Sequence, residues 1–279
     1  MKLQKLDIDK RLVKRALMED AARNDVTTLS AIPAGARASA TLIAKEDMSL
    51  AGIEVFMAVF EALDPAARFT SRYEDGAKIK KGAAIINVRG RARAILSCER
   101  VALNFLQHMC GIATLTAKFV KAAKGSQTKI LDTRKTTPGL RDLEKYSVLC
   151  GGGFNHRRDL KEMAVIKENH IAGAGGIAEA VRRVRKKLGT EGVIEVEARN
   201  IKEVKEALET GVERIMFDNM TPAQVKKGVA LIDGKIETEA SGNMNIGKIG
   251  AYAKTGVDFI SVGAITHSAP SVDISLLFE

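Results

Sequence analysis

From about Lys129 onward, short apolar or β-branched runs alternate with stretches whose apolar residues recur every three or four positions. The runs are KILD (129–132), MAVIK (163–167), VIEVE (193–197), RIMFD (within 213–218), IETEA (236–240) and DFISVG (258–263). Runs this short, each followed by an amphipathic stretch, predict strand and helix in alternation. The helix over 201–209 sets Ile201, Val204 and Leu208 on one face and meets a C-terminal stop at Gly211. Another opens on Thr221-Pro222, a capping residue followed by the residue best tolerated at the first helical position. The last units recur 21, 22 and 23 residues apart, at Glu197, Asp218, Ala240 and Gly263. Such regular short units suit a βα barrel. An open doubly wound sheet is the rival, but no G-x-G-x-x-G joins a strand to a helix, so a dinucleotide site is unsupported. Gly151-Gly152-Gly153 lacks that spacing and reads as a tight or flexible turn.

Before Lys129 the pattern changes. A helical stretch (Ile8 to Asp20) precedes strand-like residues around Ala38 to Ala44, and glycine turns at Gly76 and Gly82 separate short alternating strands. This β-rich segment is similar to the barrel-sandwich pattern of lipoyl-type domains. It has no lysine in a D-K-A hairpin tip, so a swinging-arm carrier is not expected. A long helix from Ser97 to about Lys124, interrupted near Gly111, leads into the βα region. Two domains follow, 1–110 and 111–267.

Composition narrows the class. The 279 residues, 46% apolar with five prolines, suffice for cores in both domains. No run approaches the ~18 apolar residues of a membrane span, and the opening ten residues alternate charge and leucine instead of building a secretion signal, so a cytoplasmic protein is expected. Cys98, Cys110 and Cys150 form no C-x-x-C pair and suit reduced thiols, with neither disulfide nor zinc expected. A net charge of +10 raises the question of nucleic acid. However, the densest basic run, 182–187, interleaves with Ile177, Val181, Val184 and Leu188 at helical spacing, which makes it a solvated helix face. With no tryptophan and 4% aromatic residues, stacking surfaces for bases are scarce, and small anionic substrates explain the charge better.

Chemistry-bearing residues fall where barrel strands end and loops converge on one mouth. They are Asp132-Thr133-Arg134-Lys135, Lys167-Glu168-Asn169-His170, Glu197, Asp218-Asn219, Ser241-Gly242-Asn243 and Gly263, with His156 and Arg157 nearby. Arginine forks grip carboxylates, and lysines act as point charges. Glu197 and Asp218 make sense near Mg²⁺ carried by a pyrophosphate or as acceptors for ribose hydroxyls. The turns at 241–243 and 262–264 can offer backbone N–H groups to a phosphate. Each feature also has an ordinary structural explanation. Lys167 alone is a Schiff-base amine or a surface lysine, Glu197 and Asp218 could belong to a structural ion-pair network, and Cys150 is a small buried hydrophobe. His156 and His170 lack a partner at metal-ligand spacing.

Read as strings, LDTRKTTPGLRDLEKYSVLCGGGFNHR (131–157) and VIKENHI (165–171) resemble the quinolinate phosphoribosyltransferase family. So do SCERVALNFLQ (97–107), GIATLT (111–116), EVEA (195–198), FDNM (217–220), EASGN (239–243) and VGAITHSAP (262–270), in order over nearly the whole chain. The resemblance implies an N-terminal α/β sandwich, an incomplete seven-stranded α/β barrel, and a tail, 268–279, that returns to the first domain. It implies phosphoribosyl transfer to quinolinate with decarboxylation, Mg²⁺ as cofactor, and a homodimer in which Arg100 reaches the partner's site, with assembly into a hexamer left open. Thr133, Arg134, His156, Arg157 and Lys167 would bind quinolinate. Lys135, Glu197, Asp218, Ser241, Gly242, Asn243, Val262, Gly263 and Ala264 would bind phosphoribosyl pyrophosphate, with Lys135, Glu197 and Asp218 catalytic and Mg²⁺ carried in with this substrate instead of being held tightly by the protein. Arg158-Asp159-Leu160 departs from the small residue and Gly-Leu usual after His-Arg, which leaves the local loop geometry open. His108, Met109 and Cys110 also replace more usual residues. The nearest rival is the molybdenum-transport-associated paralogue, against which VIKENH argues. A lyase forming an imine on Lys135 or Lys167 is a rival of another class, and a nucleic-acid binder is the third.

Overall fold

In the computed structural model, which describes residue 3 and residues 6–279, the chain divides into two compact units. The first comprises residues up to Ala117 together with Thr137–Gly152 and Ala269–Glu279; the second comprises Lys118–Thr136 and Gly153–Ser268.

Alternation builds the sheet of the first unit. Along the strand Arg37–Ala44, Ala40, Leu42 and Ala44 face the core, and they pair antiparallel with Ala84–Arg91 so that Leu42 meets Ile86 and Ala40 meets Val88. The four strands lie in the order Ile274–Phe278, Arg37–Ala44, Ala84–Arg91, Arg68–Ser71, so the last residues of the chain supply an edge strand. Phe56, Val59 and Phe60 from the helix Ile53–Glu61 and Ile95, Cys98, Ala102 and Leu106 from the helix Ala92–Ala122 fill the core of this unit. The segment 75–90 is no barrel-sandwich; its longer strand belongs to this open antiparallel sheet, and Lys78–Ile79 pairs with Met48–Ser49 in a separate ribbon.

The long helix is not interrupted at Gly111. It runs unbroken for 31 residues, and Gly111 has another reason to be glycine: a Cβ there would sit 2.2 Å from the carbonyl oxygen of Pro270. The returning chain crosses bare helix backbone at this point, and Val272 N–H donates to the Gln107 carbonyl at 3.2 Å. The helix Arg141–Cys150, placed by sequence in the barrel domain, contributes Leu143 and Cys150 to a cluster with Ala51, Val55, Met109 and Ala113 in the first unit.

In the second unit six parallel strands run in the order Lys129–Leu131, Phe259–Ser261, Glu237–Ser241, Arg214–Asp218, Ile194–Ala198, Ala164–Ile166. These match the predicted runs, with helices between them such as Ile201–Glu209, ended as expected before Gly211 at φ +68°. The seventh strand position is a single-residue bridge. Phe154 N–H donates to the Ile130 carbonyl at 2.8 Å, and its own carbonyl accepts from Asp132 N–H at 3.0 Å. Among the described residues nothing pairs this bridge with Ala164–Ile166, so the barrel has an open seam there. The basic run lies on the helix Ile177–Leu188, with Ile177, Ala180 and Val181 buried and Arg182, Arg183, Lys186 and Lys187 exposed. Among the described residues no helix is long and apolar enough to cross a membrane.

Candidate active site

Because side chains alternate along a strand, Ile194, Val196, Ile215, Phe217, Thr238 and Ala240 point one way, and Glu197, Met216, Asp218, Glu239 and Ser241 point the other, where they line a cavity of about 820 Å³. The loops after the strands close its wall with Thr133, Arg134, Lys135, His156, Arg157, Lys167, Asn219, Gly242, Asn243, Gly263 and Ala264.

One side of the cavity is cationic. Arg157 donates to the Met163 carbonyl at 2.8 Å, and its pKa is lowered by burial and then by the charge of Arg134. The Nε–H of Arg134 is buried and has no hydrogen-bond partner among the described residues. An N–H of this kind costs ~1–3 kcal/mol until an acceptor reaches it. Lys167 bonds through its ammonium to Glu197, one strand away. Lys135 is fixed through its backbone: its N–H donates to Thr133 Oγ1 at 3.0 Å, and its carbonyl accepts from Thr266 Oγ1 at 2.8 Å. Its side chain lies against Gly263, where a Cβ would come within 3.1 Å of Lys135 Cδ.

Barrel interiors are usually packed with branched apolar residues. Here the floor beneath the cavity is ionic. Glu195 and Glu239 are fully buried, and His156 stands above them with its side chain 8% exposed. His156 Nδ1 accepts the backbone N–H of Arg157 at 2.7 Å, which puts the ring proton on Nε2, directed at Glu195 Oε2 3.1 Å away and near Glu239 Oε2 at 3.5 Å. A protonated ring nitrogen cannot ligate a cation, so this cluster of three side chains is a hydrogen-bonded group in the arrangement observed. Ser261 donates to Glu239, and Arg214 ties Glu239 (3.3 Å) to Glu237 (2.7 Å) while its guanidinium stacks 4.3 Å over the Phe259 ring. Burial pushes both carboxyls up, and for Glu239 the adjacent Glu195 charge adds to it.

Two expected residues fall outside this cavity. Val262 is buried, and its N–H donates to the Leu131 carbonyl at 2.9 Å, so the sheet ladder uses the donor that had been assigned to phosphate. Arg100 belongs to the first unit, exposed on the helix Ala92–Ala122. His170 is exposed on the short helix Glu168–Ala174, and its Nδ1 accepts the Lys167 N–H at 3.0 Å. Cys150 is buried with its thiol pushed up to about 12, first by desolvation, which removes it as a nucleophile. Sequence reasoning missed Glu195, Glu239 and the wall residue His267. The signal for the first two was present, since Glu195 precedes Glu197 by two positions and Glu239 precedes Ser241 by two, the spacing that places residues on one face of a strand.

Comparison with known proteins agrees with this arrangement. Residues 25–110 match the N-terminal domain of quinolinate phosphoribosyl transferase, and residues 112–277 match its C-terminal domain. A chloroplastic nicotinate-nucleotide pyrophosphorylase [carboxylating] of Oryza sativa is 44% identical over 97% of this chain and 77% of its own length. A probable nicotinate-nucleotide pyrophosphorylase [carboxylating] of Bacillus subtilis is 41% identical over 96% of this chain and 92% of its own. The solved nicotinate-nucleotide pyrophosphorylase of Francisella tularensis superposes with a TM-score of 0.92 at 40% identity, covering both chains completely. A cavity walled by arginine and lysine on one side and by carboxylates and glycine turns on the other is thus set in a fold and a sequence that these proteins match over nearly the whole of this chain, and the chain belongs to the quinolinate phosphoribosyl transferase family.

Proposed function

We propose that the chain transfers the phosphoribosyl group of phosphoribosyl pyrophosphate to quinolinate, releasing pyrophosphate and carbon dioxide and giving nicotinate mononucleotide for NAD biosynthesis. The observation that carries this reading is the buried Nε–H of Arg134, without a partner among the described residues, beside Arg157 and Lys167, a cationic recess that asks for a carboxylate-bearing partner. Thr133, Arg134, His156, Arg157 and Lys167 form the acceptor half. His156 acts there as a strut between Glu195 and the Arg157 backbone, because both ring nitrogens already have partners. Lys135, Glu197, Asp218, Ser241, Gly242, Asn243, Gly263 and Ala264 form the donor half.

The pyridine nitrogen forms a bond to ribose C1 as the bond from C1 to pyrophosphate breaks, with the electron pair leaving on pyrophosphate. The quaternised ring then accepts the electrons of the bond to the C2 carboxylate, carbon dioxide departs, and a proton replaces it at C2. The enzyme contributes placement and charge. The carboxylates of Glu197 and Asp218 face the cationic sugar, and Lys135 faces the departing pyrophosphate. Mg²⁺ suits the donor half, since Glu197 and Asp218 on neighbouring strands offer hard oxygen ligands, and when bound it would neutralise charge on the pyrophosphate.

Arg100, exposed on the first unit, is available to a second copy, and a homodimer with shared sites is the assembly this reading carries. The three buried thiols fit a reducing cytoplasm. Incubation with quinolinate, phosphoribosyl pyrophosphate and Mg²⁺, with nicotinate as comparison, tests the reaction. Nicotinate mononucleotide from quinolinate alone is expected, and no product from either acceptor would overturn it. Borohydride with substrate should trap no adduct on Lys135 or Lys167, as an imine-forming lyase would.

A further inference from the structure

Two turns meet on the donor side of the cavity, and each contains an asparagine in the left-handed region, Asn219 at φ +53° and Asn243 at φ +46°. Asn219 directly follows Asp218 at the end of its strand. Its backbone N–H extends the sheet by donating to the Ser241 carbonyl at 2.9 Å. Its side-chain amide donates to Asp218 Oδ2 at 3.0 Å, and its Oδ1 accepts from Asn243 Nδ2 at 3.5 Å. Between the asparagines lies Gly242 at φ +108°, where a Cβ would come within 2.3 Å of Asn219 Oδ1 and 2.6 Å of its Cγ. The backbone of the 241–243 turn therefore rests directly on the Asn219 side chain.

Glycine adopts the left-handed region at no steric cost, and asparagine does so at some cost. The backbone conformation alone does not call for an asparagine; the amide group does something that glycine could not. Its contacts lead to Asp218, Gly242 and Asn243, all of them cavity-wall residues. Holding Oδ2 fixes the rotation of the Asp218 carboxylate about its Cβ, which leaves Oδ1 as the oxygen available to a ligand. Strain kept at such a position is a signature of a functional wall.

We propose that Asn219 is a positioning residue for the phosphoribosyl half of the site, orienting the Asp218 carboxylate and supporting the 241–243 turn while leaving the acceptor half untouched. This rests on the donor and acceptor assignment above.

The test pairs Asn219→Gly, which keeps the left-handed backbone and removes the amide, with Asn219→Asp, which keeps the outline and removes the donor. Thermal melting should show both variants folded. For Asn219→Gly the KM for phosphoribosyl pyrophosphate should rise about tenfold, and its calorimetric Kd, measured with Mg²⁺ and no acceptor, should weaken by a similar factor. The KM for quinolinate should stay within about twofold. Asn219→Asp should lose at least as much donor affinity, because a second carboxylate then faces Asp218. Unchanged donor binding in Asn219→Gly overturns the proposal, and so does an equal rise in both KM values, which would mark a general structural role. If the unmutated enzyme fails to turn over quinolinate, the reading of the reaction fails, and donor calorimetry still decides for or against Asn219.

Discussion

The Nε2–H of His156 is aimed at the buried carboxylate of Glu195, 3.1 Å beneath it, while the other ring nitrogen takes the backbone N–H of the next residue, Arg157. The acceptor half of the cavity is thus built on a buried acid pair. Glu195 is pushed to about 7 and Glu239 to about 8, above the ordinary 4.5, in both cases chiefly by burial. A carboxyl whose pKa is raised on folding binds its proton more tightly in the folded chain. The stability it contributes is complete below about pH 4.5 and is lost as the pH rises through 7 to 8. Melting temperature should therefore fall as the pH rises from about 4.5 to about 8 and level off above that, and Glu239→Gln, which imitates the protonated acid, should flatten that slope. Parallel slopes for the two proteins would refute the account.

Arg134→Lys should raise the KM for quinolinate by about 10- to 100-fold with a much smaller effect on the donor KM. Lysine keeps the charge but loses the planar fork and the buried Nε–H that finds no acceptor among the described residues. Steady-state kinetics with each substrate varied in turn would reveal an unchanged quinolinate KM, which would remove Arg134 from acceptor binding.

Lys135→Ala is expected to lower turnover by about 100-fold or more, since no other lysine occupies its place against Gly263, and charge at the departing pyrophosphate is the chief contribution assigned to it. Retained donor binding together with retained turnover would sink that role.

Gly111→Ala tests the fold independently of the chemistry. The new methyl would meet the Pro270 carbonyl, and the repacking should cost about 1–3 kcal/mol. Denaturant titration is the measurement, and an unchanged midpoint would mean that the crossing chain can move aside. Alanine is a better helix former than glycine, so propensity alone predicts the opposite sign.

The same glycine shows where sequence reading stops. Glycine inside a helical pattern reads as an interruption, because the cause of its conservation of space, the backbone at 270–271, lies far along the chain. The helix 141–150 falls within the stretch matched to the C-terminal domain yet packs with the first unit, and sequence could not foresee this for a similar reason: its apolar face suits barrel or sandwich equally well, and its partners Ala51, Val55 and Met109 decide the packing. Residues at strand ends were legible, since in a parallel barrel they must converge, and Arg134, Lys135, Lys167, Glu197, Asp218 and Ser241 do so. Val262 failed by register, because one residue further along, Gly263 is at the wall and Val262 is in the ladder.

The one-residue bridge at Phe154 divides the site mechanically. Glu197, Asp218 and Ser241 close strands that each have hydrogen-bonded neighbours on both sides, whereas Arg157 follows a single bridge residue and Lys167 follows a strand at the edge of the sheet. The wall assigned to the sugar phosphate is therefore stiff, and the wall assigned to the ring acid stands at a seam that can loosen without breaking the ladder. Hydrogen exchange should accordingly be faster across 155–163 than across 214–218, and exchange at equal rates would contradict this division. On such a scaffold, edits at the seam can reshape the acceptor wall without disturbing the strands that carry the donor wall.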